Sequence, residues 1–326
     1  MNVLFICDTR PHAHDYGVDF LIQGAYALLG AKHVFEWPEK PNLHLSVISG
    51  RDECQIDSDA WLPAKGLNAQ ELAGQVAAGK FDVVILTMCY GTAQPWREVC
   101  SALPERVPVI GLHYDDQPVD TRQQLEAIVG RSLVAYYHRE QCPEHGKQLW
   151  LSQPVGRVRS AENKPNLRPV FFAGALHSTG IDFPRDTLVC SIREAVPSAD
   201  IILTTDQQVG KRLSPEVYRD RLWESAVSVV WTSSADFDCF DSNRLWESLA
   251  LGCAVVCERP RRTMPHLEGV TWIDRPEDAG PAVASILNED NKRLRYRQQL
   301  AQYSFRWWHT SEVVLTGMLE MVGVLR

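Results

Sequence analysis

Arg244 and Glu247 stand three residues apart in "SNRLWESLALGCAVV", Ser242–Val256, and the arginine conflicts with its position. The run reads as a short helix that starts at Asp241 or Ser242, stops at Gly252 and gives way to an apolar strand. A cation in the first turn opposes the positive end of the helix dipole, where carboxylates are favoured. With successive side chains ~100° apart, Leu245, Trp246, Leu249 and Ala250 fall on one side, and Arg244, Glu247 and Ser248 share the other. An exposed ion pair would account for the spacing but adds only a few tenths of a kcal/mol. An anion accounts for it better: a helix N-terminus is an anion site, and a guanidinium matches phosphate with two parallel hydrogen bonds. The carboxylate one turn further in can accept hydrogen bonds from sugar hydroxyls. The pair therefore suits a ribose phosphate, such as a nucleoside diphosphate.

The elements that would hold such a helix alternate along the chain. "NVLFICD", "LSVISG", "FDVVILTMC", "VPVIGLHYDD" and "SLVAYYHRE" are strand-like, with helical periodicity in "VDFLIQGAYALLG" and "AQELAGQVAAG" between them. "LSQPVGRVRSAENKPNLRP", Leu151–Pro169, is polar, carries three prolines and reads as a linker. The rhythm then restarts with strands "VFFAG", "ADIILTT", "AVSVVWTSS", "AVVCER" and "VTWID", separated by helices such as "PRDTLVCSIREAV" and "SPEVYRDRLWES". Continuous apolar strands alternating with helices predict α/β architecture with parallel sheets covered on both faces. The expected organisation is two doubly wound, Rossmann-like domains, residues 1–157 and 165–303, followed by a helical segment, 304–326. Ligands are expected at the carboxyl ends of the strands.

"SNRLWESLALGCAVV" resembles the helix "R-x-x-E-A-L-A-x-G-x-x-V-V" of glycosyltransferases with the GT-B fold, most closely the exostosin-type and bacterial spore-coat-type (family 1-like) enzymes. "VFFAG" with "ALHSTG", "LSPEVYRDRLWESAVSVVWT" and "YSFRWWHTSEVVLTGML" resemble the elements around that helix, so the likeness runs from Pro169 to the end. It implies two domains facing across a cleft and a last helix crossing back to the first domain. It implies that Arg244 faces the donor diphosphate and Glu247 holds the ribose hydroxyls. Asn243, Ser248, Gly174 and His177 are expected beside them as further donor-binding residues. Many retaining members carry an acidic residue eight positions before the ribose-binding Glu; here that position is Cys239, which leaves the stereochemistry open.

An inverting reaction on a hydroxyl needs a general base from the first domain. "DTRPHAHDYG" offers His12, His14 and Asp15, and "GLHYDD" offers His113, Asp115 and Asp116; Asp15 is the first choice, with His14 and Asp115 beside it. Two patterns could hold metal. Asp236-Phe237-Asp238 is a D-x-D triplet, the metal signature of the other major glycosyltransferase fold, here read as a loop cap or acceptor contact. His138, Cys142 and His145 lack an evident fourth ligand and the paired spacing of a zinc site. No cofactor or divalent metal is expected; the nucleotide sugar is a co-substrate. Tyr303, Phe305, Trp307 and Trp308 could form a sugar-stacking platform, but such spacing more often marks a packed helix.

The 326 residues carry a formal net charge of −8, which argues against a general nucleic-acid binder. Nine dispersed cysteines suit reduced thiols, and neither a secretory pattern at Met1–Cys7 nor a run of ~20 apolar residues is present. The expected setting is cytoplasmic, the inner membrane face included. The expected partners are a nucleotide-diphosphate sugar and an acceptor that the sequence does not name: a glycan, a lipid-linked sugar, a protein or a small molecule. The leading reading is a glycosyltransferase. A sugar-nucleotide epimerase of the same fold, or a non-catalytic nucleotide-sugar binder, fits the same residues.

Overall fold

The computed structural model describes residues 1–7, 16–38, 68–88, 94–113, 121–138, 148–150, 160–175, 185–204, 213, 215–231, 243–259, 267–308 and 310–325. Contacts divide the chain into two compact units: Met1–Gly156 with Thr310–Arg326, and Arg157–His309.

The first unit contains β1 (Val3–Ile6), α1 (Tyr16–Leu29), β2 (Val34–Trp37), α2 (Ala69–Ala77), β3 (Val83–Met88), α3 (Gln94–Ser101), β4 (Val109–His113), α4 (Arg122–Val129), β5 (Ala135–His138) and β6 (Gln148–Trp150). Its six strands are parallel, in the order β2-β1-β3-β4-β5-β6. The second unit contains β7 (Arg168–Ala175), α5 (Arg185–Ala195), β8 (Asp200–Thr204), α6 (Pro215–Glu224), β9 (Ser225–Val230), α7 (Asn243–Ala250), β10 (Ala254–Glu258), β11 (Val270–Ile273), α8 (Ala279–Leu287) and α9 (Asn291–Trp308). Its five strands are parallel too, in the order β11-β10-β9-β7-β8. Each sheet thus starts in the middle, steps one way for its second strand and the other way for its third. The switch points lie between β1 and β3 and between β7 and β9, where doubly wound sheets bind ligands.

The chain ends in α10 (Ser311–Met321), which packs on α1 in the first unit. Alternation along the buried strands divides that unit's core. Val3, Phe5 and Ile85 meet Leu21 of α1 and Leu315 and Leu319 of α10 on one face. Leu4, Ile6, Val84 and Leu86 meet Leu72, Trp96 and Leu125 on the other. In the second unit Val170, Val227 and Val256 close against Leu188 and Ile192 of α5 and Val283 and Ile286 of α8. Burying each such side chain contributes about 1.5–3 kcal/mol, which is why these runs are apolar without interruption.

The structure corrects several boundaries. "LSVISG" lies outside the described residues; the second strand is Val34–Trp37, obscured in the sequence by Glu36, which is fully buried. β5 is followed by a further strand, β6. The polar stretch read as a linker already belongs to the second unit from Arg157 on, its Lys164 is buried, and β7 begins at Arg168. The passage back to the first unit falls at His309–Thr310 rather than at Ser304. Ser304 is buried inside α9, where its hydroxyl accepts a hydrogen bond from the Glu268 backbone N–H at 3.2 Å. The returning helix α10 starts at the Thr310 cap, whose Oγ1 accepts from Val313 N at 3.4 Å.

Candidate functional site

α7 is held from behind. Leu245, Trp246, Leu249 and Ala250 have no exposed surface, as expected from their spacing. The helix ends at Gly252, whose left-handed backbone (φ +65°) lets Gly252 N bond Leu249 O at 3.0 Å and Cys253 N bond Ser248 O at 2.9 Å. This double closure satisfies carbonyls that the last turn would leave unpaired. Two neighbours satisfy others: Gln302 Nε2 donates to Ala250 O at 2.7 Å, and the buried Lys164 ammonium donates to Leu251 O at 2.9 Å. Lys164 also donates to Leu222 O and Trp223 O, at 2.7 and 2.9 Å, so one cation sits at the negative ends of both α6 and α7.

With the tail fixed, the first turns of α7 present Arg244 and Glu247, both half-buried. Ser248 is not with them. It is fully buried, its hydroxyl 2.8 Å from Ser228 Oγ on β9 and donating to the Arg244 carbonyl. The ~100° spacing put it at the edge of the polar side; the helix leans far enough onto β9 to take this small side chain into the packing.

Glu247 is pushed above the ordinary carboxylate value by desolvation, while Arg219 on α6 and Arg244 pull it back down. Near Arg244 stands a group that the sequence pattern did not single out. Arg185, the first residue of α5, is 6% exposed and its Nη2 lies 3.5 Å from Trp231 O, just past the end of β9. Burial first, and the charge of Arg244 second, lower its pKa to about 10 against the opposite pull of Glu258 at the end of β10. The signal was present in "PRDTLVCSIREAV": an arginine in a first helical turn, the same anomaly as in α7.

Gly174 is buried near the end of β7, and a Cβ there would sit 3.2 Å from the Phe172 ring and 3.7 Å from Arg185 Nη1. The Arg185 guanidinium thus lies over the end of β7. Arg185 and Arg244 each stand in the first turn of a helix. The charge of Arg244 acts unfavourably on the buried Arg185 guanidinium, and an anion bound beside them would offset that. Glu247 adds a carboxylate on the same helix as Arg244.

His12, His14, Asp15, Asp115, Asp116, His177, Asp236, Asp238 and Cys239 lie outside the described residues, as does the side chain of Asn243, whose backbone opens α7. Of the candidate zinc cluster, Cys142 and His145 also lie outside them. Among the described residues no group of three or more His, Cys, Asp or Glu side chains could hold a metal ion, and no helix is long and apolar enough to cross a membrane.

No protein-family model matches the sequence. No curated protein matches it either. Solved structures do match. The chain superposes on a glycosyltransferase from Rickettsia africae with a TM-score of 0.59 at 10% identity, covering 98% of this chain and 97% of that one. It superposes on MnaA of S. aureus, solved with UDP, with a TM-score of 0.51 at 12% identity, covering 100% and 98%. A UDP-N-acetylglucosamine 2-epimerase candidate from Listeria monocytogenes gives 0.52 at 14% identity, covering 99% and 95%. Against TarM the TM-score is 0.50 at 8% identity, and the chain spans only 54% of that protein's length. The fold is GT-B glycosyltransferase-like, with two parallel α/β units.

Proposed function

We propose that this protein is a glycosyltransferase that binds a nucleoside-diphosphate sugar on its second unit and passes the sugar to an acceptor hydroxyl. The observation that supports the reading is that Arg185 and Arg244 each stand in the first turn of a helix, with the Arg185 guanidinium against Trp231 O past the end of β9 and beside Gly174 near the end of β7. Cleaving the sugar–phosphate bond leaves negative charge on the departing diphosphate. Two preorganised guanidiniums and two helix N-termini stabilise that charge where it develops, without a metal. Glu247 holds the ribose, and Asn243 and His177 complete the donor side. For the acceptor we assign Asp15 as general base, with His14 and Asp115 as the alternatives. In sequence, His14 and Asp15 follow β1, the strand that borders the first unit's own switch point.

Incubation with a panel of UDP-, GDP-, TDP- and CDP-sugars tests the reading. Free nucleoside diphosphate should appear with an acceptor present, and activity should survive EDTA. Full loss with EDTA and rescue by manganese would transfer the charge-stabilising role to Asp236 and Asp238. Conversion of the donor sugar to its epimer, with no transfer, would favour the second reading, which the full-length likeness to the Listeria epimerase candidate supports.

A further inference from the structure

The aromatic residues at the end of α9 part company in the structure. Phe305 is fully buried, whereas Tyr303 is 59% exposed and Tyr296, two turns earlier, is 62% exposed. Both line a groove of about 320 Å³ between α9 and the short 3-10 turn Ala161–Asn163, together with Ser160, Glu162, Gln299 and Arg306. We infer that this groove is an oligosaccharide-binding site, separate from the nucleotide site and at the opposite end of α7 from Arg244.

Three features carry the inference. Single exposed tyrosines are ordinary, but these two lie on one helical stripe, seven residues and ~10 Å apart by the helical rise, and both border a concavity. Two aromatic rings at that spacing suit alternate pyranose units of an extended chain, whose C–H faces stack on aromatic rings while their hydroxyls stay hydrated. Apart from Ala161 and Leu300, the rest of the lining is amide, hydroxyl, carboxylate and guanidinium, groups that exchange paired hydrogen bonds with neighbouring sugar hydroxyls. Glu162 and Arg306 balance in charge, so the groove favours a neutral glycan over a polyanion.

The floor is also preorganised. Gln302 accepts from Ala161 N at 2.8 Å through Oε1 and donates to Ala250 O at 2.7 Å through Nε2, which ties the 3-10 turn and α7 to α9. A groove whose walls are already ordered loses little entropy on binding, and its volume falls in the usual range of ligand sites.

The test titrates the full chain with chito-, cello- and malto-oligosaccharides by calorimetry, with UDP titrated in parallel. One series should bind, and Tyr296→Ala and Tyr303→Ala should each weaken it about tenfold. Tyr303→Phe, which keeps the ring, should retain most of the affinity. UDP affinity and the thermal midpoint should not move in any of these variants, which separates this site from the nucleotide site and from misfolding. Absence of binding by all three series, or binding that survives Tyr296→Ala/Tyr303→Ala, would overturn the inference. So would a concentration-dependent self-association of the wild type that the same variants abolish, since the stripe would then be a protein contact.

Discussion

Arg185→Ala and Arg244→Ala should each weaken UDP binding by about 1.5–3 kcal/mol, the usual cost of losing a charged hydrogen-bond partner. Because the two guanidiniums repel when no anion is present, the double variant should lose less than the sum of the two. Calorimetry on the two single variants and the double variant checks both points; strictly additive losses would mean that the arginines do not share one anion. Glu247 carries a signed pH effect. Burial holds its folded pKa above the ordinary carboxylate value, so its ionisation in the folded protein is resisted. Stability is then fully present below about pH 4.5 and is partly lost as pH rises through the shifted value. Glu247→Gln should therefore raise the thermal midpoint at neutral pH, with the gain vanishing in acid, while weakening UDP binding. The wild type should lose UDP affinity on acidification earlier than an ordinary carboxylate would dictate, and Glu247→Gln should not. A midpoint difference independent of pH would contradict the assigned direction.

α7 is an eight-residue helix, too short to persist without support. Its support is the buried face, the Gly252 turn and the Lys164 ammonium. Gly252→Ala would place a Cβ 2.6 Å from the Ala161 Cβ on a backbone at φ +65°. The left-handed conformation alone costs an L-residue about 1–2 kcal/mol, and the clash adds to it, so the thermal midpoint should fall clearly. Lys164→Met should fall as well, because buried carbonyls left without a donor cost on the order of 1–3 kcal/mol each. In both variants the molecules that remain folded should bind UDP nearly as tightly as wild type, since Arg185 hangs on α5. A selective loss of UDP affinity at unchanged stability would instead place Gly252 or Lys164 at the ligand. The α7 helix shows how far local pattern reaches. Its apolar face, its stop at Gly252 and the positions of Arg244 and Glu247 were all legible from the spacing. Ser248 was misread because one turn of a helix has an edge, and only packing against Ser228 decides which way an edge residue faces.

The division of labour between the two units gives the last expectation. The proposed donor residues Arg185, Arg244 and Glu247 all belong to Arg157–His309, while Asp15 and Asp115 belong to the other unit. Saturating UDP at about 100-fold over Kd should stabilise by ~2.7 kcal/mol, with hydrogen-exchange protection concentrated in β7, α5 and α7. Asp15→Asn should leave UDP affinity intact and lower turnover by about 10²–10⁴, the range for a lost general base. Normal turnover in both Asp15→Asn and Asp115→Asn would remove both from that role and favour a retaining mechanism.

The sequence by itself determined the two parallel sheets, because strands buried on both faces must be apolar at every position and helices between them must be amphipathic. It marked α7 as a candidate anion site, because a cation in a first turn is an electrostatic anomaly that needs no tertiary information to notice. It did not reveal β2, where a buried Glu36 breaks the apolar run, or the membership of 157–168 in the second unit, where Lys164 is a polar residue in a buried place. It also did not reveal that Arg185 lies within reach of the charge of Arg244. They are 59 positions apart in the chain, and what brings them together is the strand order β9-β7-β8, which sets the ends of β7 and β9 side by side. Local periodicity reports the environment of each residue separately, whereas the adjacency of two distant helix starts exists only once the strands are ordered.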